Sequence, residues 1–147
     1  MTRALAGPEL GERISVALPG AVAELNDTEV CIEPEALLPV ARFLRDEPGL
    51  DFSAVRSISA VDYIEHFEVV YHLLSMRLNR SAILKMRCHG RGEIVVPSVV
   101  EVWRGAELQE REIWDLMGIR FEGHPNMRRV LLWEGFDGHP LRKDFLS

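Results

Sequence analysis

The sequence predicts an α+β fold in which helices pack on a mixed β-sheet and an extended arm follows at the C-terminal end. Three observations support this class. Successive β-prone segments occupy the middle of the chain, amphipathic helical patterns stand on both sides of them, and Gly and Pro interrupt every pattern after residue 118. We therefore expect an α+β domain over residues 1–118 and a C-terminal docking arm over residues 119–147.

The composition indicates a folded chain with a single core. The 147 residues are 47% hydrophobic and 27% charged, which provides enough apolar surface to offset the entropy of ordering. No apolar stretch approaches the ~18 residues that a membrane-spanning helix needs. The first residues lack the apolar segment of a secretory signal, so we expect a protein of the cytoplasm.

Charge and cysteine content argue against non-specific nucleic-acid binding, a disulfide framework and a thiolate metal site. The net charge of −6 opposes non-specific binding to nucleic acid, because that binding depends on Lys and Arg. Cys31 and Cys88 lie far apart and form no CxxC motif, which excludes a disulfide framework and a thiolate metal site.

The N-terminal half contains two helical patterns and one short strand. Apolar residues recur at helical spacing over residues 10–18 and stop at Pro19-Gly20, which predicts a short helix. A β-prone segment follows at residues 29–33, and a second helix begins at Pro34 and ends before Pro48. This strand and helix are the β-α half of a βαβ unit.

Three successive strands are predicted over residues 54–64, 67–76 and 82–89. The middle strand is apolar on both faces, so we place it inside the sheet. The third strand alternates with a period of two, which separates an apolar face from a more polar one. The first face comprises Ala82, Leu84, Met86 and Cys88, and the second comprises Ile83, Lys85, Arg87 and His89.

A last helix is predicted from Ser98 to Gly118. Ser98 and Glu101 have the spacing of a capping box, and Gly118 stands where a C-terminal cap is expected. Gly105 kinks or splits this helix, because glycine inside a helix costs ~1 kcal/mol relative to alanine.

This last helix has an apolar face that contains one carboxylate. At about 100° per residue, Glu110 falls in the middle of that face, whose other members are Trp103, Ala106, Ile113 and Met117. A carboxylate in such a place must be paired, hydrogen-bonded or protonated. The opposite side is a charged row typical of a solvated face, formed by Glu107, Arg111 and Asp115.

Two interpretations of Glu110 remain open. One is an acid with a raised pKa that is used in proton chemistry. The other is a structural ion pair with a cation of the arm, for which the candidates are Arg128, Arg129, Arg142 and Lys143. We expect Glu110 to be buried and paired with Arg128 or Arg129.

The arm contains a short near-repeat, FEGHPNMRR at residues 121–129 and FDGHPLRK at residues 136–143. In each copy a Gly that tolerates positive φ precedes a His that the following Pro holds extended. A metal site is one interpretation, with His124 and His139 as ligands beside Glu122, Asp137 or Asp144. No HxxxH or HExxH spacing supports a metal, so the pattern favours a docking element used twice.

With EREIWDLMGIRFEGHP at residues 110–125 and GHPLRKDF at residues 138–145, the chain resembles the C subunit of NADH-quinone oxidoreductase, respiratory complex I. The resemblance continues upstream through VDY at 61–63, FEVVYHLLS at 67–75 and VPS at 96–98. It departs from the family pattern at Leu108, where the family usually has Trp.

The resemblance implies a non-redox scaffold subunit in the peripheral arm of the complex. Such a subunit docks to the large subunit that forms the quinone cavity, contacts the iron-sulfur subunits, and supports electron transfer from NADH to quinone coupled to proton translocation. It holds no cofactor, while other subunits carry FMN, iron-sulfur clusters and quinone. It lies on the cytoplasmic side of a prokaryotic cell membrane.

The docking residues that the resemblance implies lie on the last helix and in both copies of the repeat. They are Glu110, Arg111, Glu112, His124, Pro125, Arg128, Arg129, His139, Pro140, Arg142, Lys143 and Asp144. Two alternatives to this function remain. One is the equivalent subunit of a related membrane-bound hydrogenase or coenzyme F420 dehydrogenase, and the other is an independent His/carboxylate metalloenzyme.

Overall fold

A mixed β-sheet with helices packed on it forms the body of the computed structural model, which describes residues 2–89, 93–127 and 138–142. A 3-10 turn at Pro34–Ala36 precedes the second helix. In chain order the elements are β1 (Arg3–Ala4), α1 (Gly7–Ala17), β2 (Val22–Leu25), β3 (Glu29–Ile32), α2 (Leu37–Asp46), β4 (Ala54–Asp62), β5 (His66–Ser75), β6 (Arg80–His89), β7 (Ile94–Pro97), α3 (Ala106–Met117) and β8 (Ile119–Glu122).

The main sheet has the strand order β2-β3-β6-β5-β4, and β1 pairs with the start of β6. Strand β5 lies between β4 and β6 and is antiparallel to both, which confirms the interior position predicted for it. Strand β3 is parallel to its neighbour β6. Helix α2 connects β3 to β4, which lie three places apart in the sheet. The predicted α+β class with a mixed sheet is confirmed.

One face of this sheet shares a core with the helices. In β6, Leu84 and Met86 have no exposed surface, whereas Lys85 and Arg87 on the other face are half-buried, as the alternation predicts. The helices contribute their apolar faces to the same core through Leu10, Ile14, Leu37, Val40 and Leu44. None of the helices in the described ranges has the length and apolar composition needed to cross a membrane.

The last helix begins later than predicted. Helix α3 begins at Ala106 and residues 98–105 form turns, so the capping box predicted for Ser98 and Glu101 is wrong. Ser98 Oγ is used differently, because it donates to Glu110 and accepts the N–H of Val100. The C-terminal cap is confirmed, since Gly118 follows the helix with a left-handed φ of 77°.

The predicted arm begins as a strand of the body. Strand β8 pairs in parallel with β7, and its Ile119 and Phe121 are 0% and 2% exposed. The expectation of an extended arm from residue 119 is therefore wrong for the first four residues. Two four-residue strands that pair across an intervening helix leave no long period in the sequence, so the pattern does not predict them.

Strand β2 is also absent from the predicted elements. Three of its four residues are exposed, so it lacks the alternation of apolar and polar residues that identifies a half-buried strand. It pairs antiparallel with β3 through a register shift and extends the sheet by one strand at that edge.

Candidate functional site

Glu110 lies on the buried face of α3 and connects the helix to the turn after β7. Its side chain has no exposed surface, which confirms the predicted burial. Ser98 Oγ donates a hydrogen bond to Oε1 at 2.6 Å, and the backbone N–H of Val99 donates to Oε2 at 2.9 Å. Its partners here are a hydroxyl and an amide. The expected ion pair with Arg128 or Arg129 lies outside the described residues.

Burial gives this carboxyl an increased affinity for protons. Loss of solvent raises the pKa of Glu110 to about 7, although the hydrogen bonds from Ser98 and Val99 lower it in part. Burial also raises the pKa of Tyr71 in β5 well above its ordinary value, and the negative charge of Glu110 adds to that effect. This environment assigns no reaction to the group, and the ion pair with a cation of the arm stays a prediction.

The charged side of α3, which the sequence predicts to face solvent, is largely covered by other parts of the chain. Glu107 and Arg111 are half-buried and Asp115 has no exposed surface, so the prediction of a solvated row is wrong. Both His-Pro turns of the arm contact this helix, through the backbone carbonyls of Glu107 and Asp115. Residues 123–127 form the first His-Pro turn, and residues 138–142 form the second.

His124 fixes the first His-Pro turn to α3. Its Nε2 lies 2.9 Å from the carbonyl oxygen of Glu107, and its Nδ1 lies 2.8 Å from the backbone N–H of Asn126. A carbonyl can only accept and an amide N–H can only donate, so Nε2 carries the hydrogen and Nδ1 supplies the lone pair. Both ring nitrogens are therefore used within this chain.

His139 fixes the second His-Pro turn to the end of the same helix through its other nitrogen. Its Nδ1 donates to the carbonyl oxygen of Asp115 at 2.9 Å. The backbone N–H of Leu141 donates to the carbonyl oxygen of Leu116 at 2.8 Å. The imidazole also packs against Trp114, with 4.8 Å between the ring centroids.

Gly118 allows the second His-Pro turn to approach this closely. A Cβ at this position would lie 2.8 Å from His139 Cδ2 and 3.2 Å from Arg142 Nη1. Arg142 in turn stacks on the β4–β5 hairpin close to its connecting turn, with its Cζ 5.0 Å from the centroid of the Phe67 ring. The second turn is thus attached both to α3 and to the hairpin.

The remaining predicted docking residues occupy different environments. Arg111, Glu112 and Pro140 are half-buried, whereas Pro125 is exposed. The side chain of Glu110 has no exposed surface, so it cannot contact a partner directly and can only hold neighbouring surface residues in position. Four of the predicted residues lie outside the described ranges: Arg128, Arg129, Lys143 and Asp144.

The metal interpretation finds no ligand set in residues 2–89, 93–127 and 138–142. No three or more His, Cys, Asp or Glu residues are grouped there so that they could hold an ion. Both nitrogens of His124 are engaged in hydrogen bonds, and Asp137 and Asp144 lie outside those ranges.

An apolar patch at the tip of the β4–β5 hairpin has no counterpart among the predicted site residues. This hairpin patch consists of Val61, Tyr63, Ile64 and Leu141, which are 40%, 51%, 62% and 60% exposed. All four line one groove of about 520 Å³, with Met117 of α3 also in its wall. The patch therefore combines residues of the hairpin with a residue of the second His-Pro turn.

The turn that forms this tip is unusual in its backbone. The strand predicted through residue 64 ends at Asp62, and Ile64 has a positive φ of 74°. Asp62 Oδ1 accepts the N–H of Ile64 at 2.8 Å, which holds the turn. Asp at this position is the signal in the sequence, because Asp side chains accept from backbone two residues on.

Comparison with known proteins identifies the family. The family described as respiratory-chain NADH dehydrogenase, 30 Kd subunit, matches residues 30–147. The C subunit of NADH-quinone oxidoreductase from Azorhizobium caulinodans is 44% identical over 144 residues, which cover 93% of this chain and 67% of that protein. The same subunit from Roseiflexus castenholzii is 43% identical over 148 residues, which cover 96% and 84%.

A solved structure with a similar fold supports the same family assignment. It is a chain from the membrane-bound sulfane sulfur reductase, an archaeal respiratory membrane complex. It superposes with a TM-score of 0.76 at 26% identity, covering 94% of this chain and 84% of that one. By sequence and by fold, the chain belongs to the family of the respiratory-chain NADH dehydrogenase 30 Kd subunit, which includes the C subunit of NADH-quinone oxidoreductase.

Proposed function

We propose that this chain is a non-redox scaffold that holds the redox subunits of a NADH-quinone oxidoreductase in register. As a member of the 30 Kd subunit family, it is a subunit of a multi-subunit, complex I-like assembly. In this proposal it docks to the large quinone-cavity subunit and contacts iron-sulfur subunits on the cytoplasmic side of a prokaryotic membrane. FMN, iron-sulfur clusters and quinone are then bound by other subunits, which perform electron transfer coupled to proton translocation.

The hairpin patch is the observation that supports docking most directly. Contiguous exposed apolar side chains around a groove are typical of surfaces that contact another protein. Ile64 adds a cost in backbone energy, because a β-branched residue at positive φ is strained by ~1–3 kcal/mol. Such strain is usually retained where it presents a side chain for a function, and Ile64 is 62% exposed.

The arm and the hairpin offer one continuous surface to a partner. Leu141 of the second His-Pro turn belongs to the hairpin patch, and Arg142 beside it stacks on Phe67. His139 attaches the same turn to α3. A subunit that covers the patch would therefore contact elements that are fixed to one another, which is what a scaffold requires to hold a partner at a defined distance.

Replacement of Ile64 by Asn tests this proposal. Asn adopts positive φ more readily than Ile, so Ile64→Asn should keep or raise the melting temperature while removing an apolar anchor. We expect less of the complex to co-purify with the tagged variant than with the tagged wild-type chain. Val16→Ser is the matched control, because Val16 is 78% exposed on α1 and lies outside the patch. Equal recovery with Ile64→Asn and with wild type would contradict docking through this patch.

The solved structure favours one second candidate. The matched chain comes from a sulfane sulfur reductase, so this fold also occurs in a respiratory membrane complex other than NADH-quinone oxidoreductase. The alternative is therefore an equivalent subunit of a related complex with a different electron donor. Identification of the co-purified subunits distinguishes the two, because only the NADH-dependent assembly contains an NADH-oxidising flavin subunit.

A further inference from the structure

We propose that a single buried water molecule binds between the Tyr71 hydroxyl of β5 and the Glu110 carboxyl of α3. The water accepts a hydrogen bond from the hydroxyl and donates one to the carboxyl. Such a site joins the middle of the sheet to the helix that carries both His-Pro turns. It goes beyond the proposed docking function and does not depend on it, because both residues are buried within this chain.

The hydroxyl of Tyr71 is the observation from which this site follows. The residue has no exposed surface, and its Oη is enclosed without a hydrogen-bond partner in the described part of the chain. Burial of a hydroxyl without a partner is unfavourable, because the unfolded chain hydrogen-bonds the same group to water. Buried polar groups in folded proteins are therefore nearly always bonded, either to protein or to an enclosed water molecule.

The carboxyl of Glu110 can serve as the other end of the bridge. Ser98 Oγ donates to Oε1 at 2.6 Å, and the N–H of Val99 donates to Oε2 at 2.9 Å. Each carboxylate oxygen has two lone pairs, so the group can accept more than these two hydrogen bonds. Since the side chain has no exposed surface, a further donor has to lie inside the protein.

The two groups belong to elements that are bonded to each other. Tyr71 is paired with Ile58 across the β4–β5 ladder, and the N–H of Ile58 donates to Gln109 Oε1 at 2.6 Å. Gln109 precedes Glu110 on α3, so this turn of the helix lies beside the strand pair that contains Tyr71. Burial raises the pKa of Tyr71, and the charge of Glu110 raises it further, as expected for neighbouring groups.

The separation of the two groups favours a bridge over a direct contact. Although Tyr71 and Glu110 interact electrostatically, Oη makes no hydrogen bond to the carboxyl. A polar contact that is too long for a direct hydrogen bond is the arrangement in which a bridging water is expected.

The chemistry of the two ends selects water as the ligand. The hydroxyl hydrogen of Tyr71 needs an acceptor, whereas the carboxylate of Glu110 needs a donor. An anion would be repelled by the carboxylate, and no metal-binding group of three or more His, Cys, Asp or Glu occurs in residues 2–89, 93–127 and 138–142. Water is neutral and both accepts and donates, so it also fits the protonated form of Glu110.

Tyr71→Phe tests the site by the sign of its effect on stability. If a water binds Oη, the variant loses a hydrogen bond and leaves that water short of a partner. The melting temperature of the full-length chain should then fall by about 3 °C or more. If nothing binds Oη, the variant removes an unfavourable buried group, so the melting temperature stays the same or rises.

Tyr63→Phe is the matched control. Tyr63 is 51% exposed, so solvent satisfies its hydroxyl and the same substitution should change the melting temperature by less than about 2 °C. An unchanged or raised melting temperature for Tyr71→Phe would overturn the proposal.

A crystal structure of the full-length chain detects the water directly. We expect one ordered water within about 2.7–3.0 Å of both Tyr71 Oη and a carboxyl oxygen of Glu110. In Tyr71→Phe this water should lose its position or bind to Glu110 alone. A wild-type structure without a water that contacts both groups would overturn the proposal even if Tyr71→Phe lowers the melting temperature, because the hydroxyl would then contribute through packing alone.

Discussion

Glu110 connects two elements through a carboxyl that has no contact with solvent. Its oxygens accept from Ser98 Oγ and from the N–H of Val99, so the turn after β7 depends on a residue of α3 for two of its hydrogen bonds. Loss of this carboxyl would leave the buried N–H of Val99 without an acceptor, which costs about 1–3 kcal/mol. The residue thus has a structural role that does not require a charge.

Gly118 is a second residue that the surrounding structure requires, because a side chain at this position would collide with the second His-Pro turn. Gly118→Ala should lower the free energy of unfolding by more than ~2 kcal/mol, because alanine at positive φ costs about 1–2 kcal/mol and its Cβ would also collide with His139. The Cβ would lie 2.8 Å from His139 Cδ2, closer than real Cβ contacts. Chemical denaturation of both chains measures the loss.

Gly20→Ala is the control for this comparison. Gly20 has a φ of 86°, yet in the described part of the chain no atom beyond its two chain neighbours lies within 4 Å of the position of its Cβ. It therefore reports the cost of the backbone conformation without a collision. If the two substitutions cost the same, the second His-Pro turn does not pack on Gly118 in solution.

At the scale of elements, the sequence predicts long periodic segments and not short pairings. Leu84 and Met86 in β6 alternate with Lys85 and Arg87, so this strand and the division between its buried face and its more polar face follow from the pattern alone. The pairing of β7 with β8 joins residues 25 positions apart, such as Ile94 and Ile119, and no local pattern contains that information.

Prediction of the candidate site from the sequence has the same limit. Its residue types are predictable, because a His between Gly and Pro occurs twice and Glu110 falls on an apolar helix face. Its contacts are not, since His124 and His139 donate to backbone carbonyls of α3 that every helix offers. The Ser98–Glu101 spacing predicts a cap, but Glu110 competes for the same hydroxyl from one element away.

Strand β8 should behave as part of the core and not as a detachable arm. Phe121→Ala should destabilise the isolated chain by about 3–5 kcal/mol, the usual cost of removing a buried Phe side chain. Phe121 is 2% exposed, whereas its neighbour Arg120 is exposed and faces away. Arg120→Ala should therefore change stability by less than ~0.5 kcal/mol. Similar melting temperatures for the two variants would show that β8 is not packed.

At the scale of the whole molecule, the pKa shifts of Glu29 and Glu68 and the pKa shift of Glu110 make folding stability depend on pH in opposite directions. On the sheet face away from the core, Lys85 Nζ lies 2.7 Å from Glu29 and 3.6 Å from Glu68. The hydrogen bond from Lys85 lowers the pKa of Glu29 below its ordinary value. Burial alone would raise the pKa of Glu68, but hydrogen bonds with His66 and Arg87 and the positive charges of Lys85 and Arg87 together outweigh burial and leave that pKa lowered.

These lowered pKa values stabilise the folded chain above an ordinary Glu pKa of 4.5 and lose that contribution as the pH falls through the lowered values. Glu110 has the opposite sign. Its pKa rises from 4.5 to about 7 on folding, so between these values the folded chain holds a proton that the unfolded chain has released. Stability therefore falls as the pH rises through that window, by on the order of 3 kcal/mol.

The melting temperature of the isolated chain should consequently be highest near the lower end of that window and decline toward pH 7. Glu110→Gln keeps an acceptor for Val99 but cannot ionise, so it should not show the decline. Compared with wild type, the variant should melt at a similar temperature near pH 4.5 and about 5 °C or more higher near pH 8. Lys85→Met should weaken the acid-side loss of stability and leave the Glu110 difference unchanged, because it removes the partner of Glu29 and Glu68 on the other face. Parallel melting curves for wild type and Glu110→Gln at every pH would mean that the carboxyl of Glu110 keeps an ordinary pKa, and that a cation neutralises it.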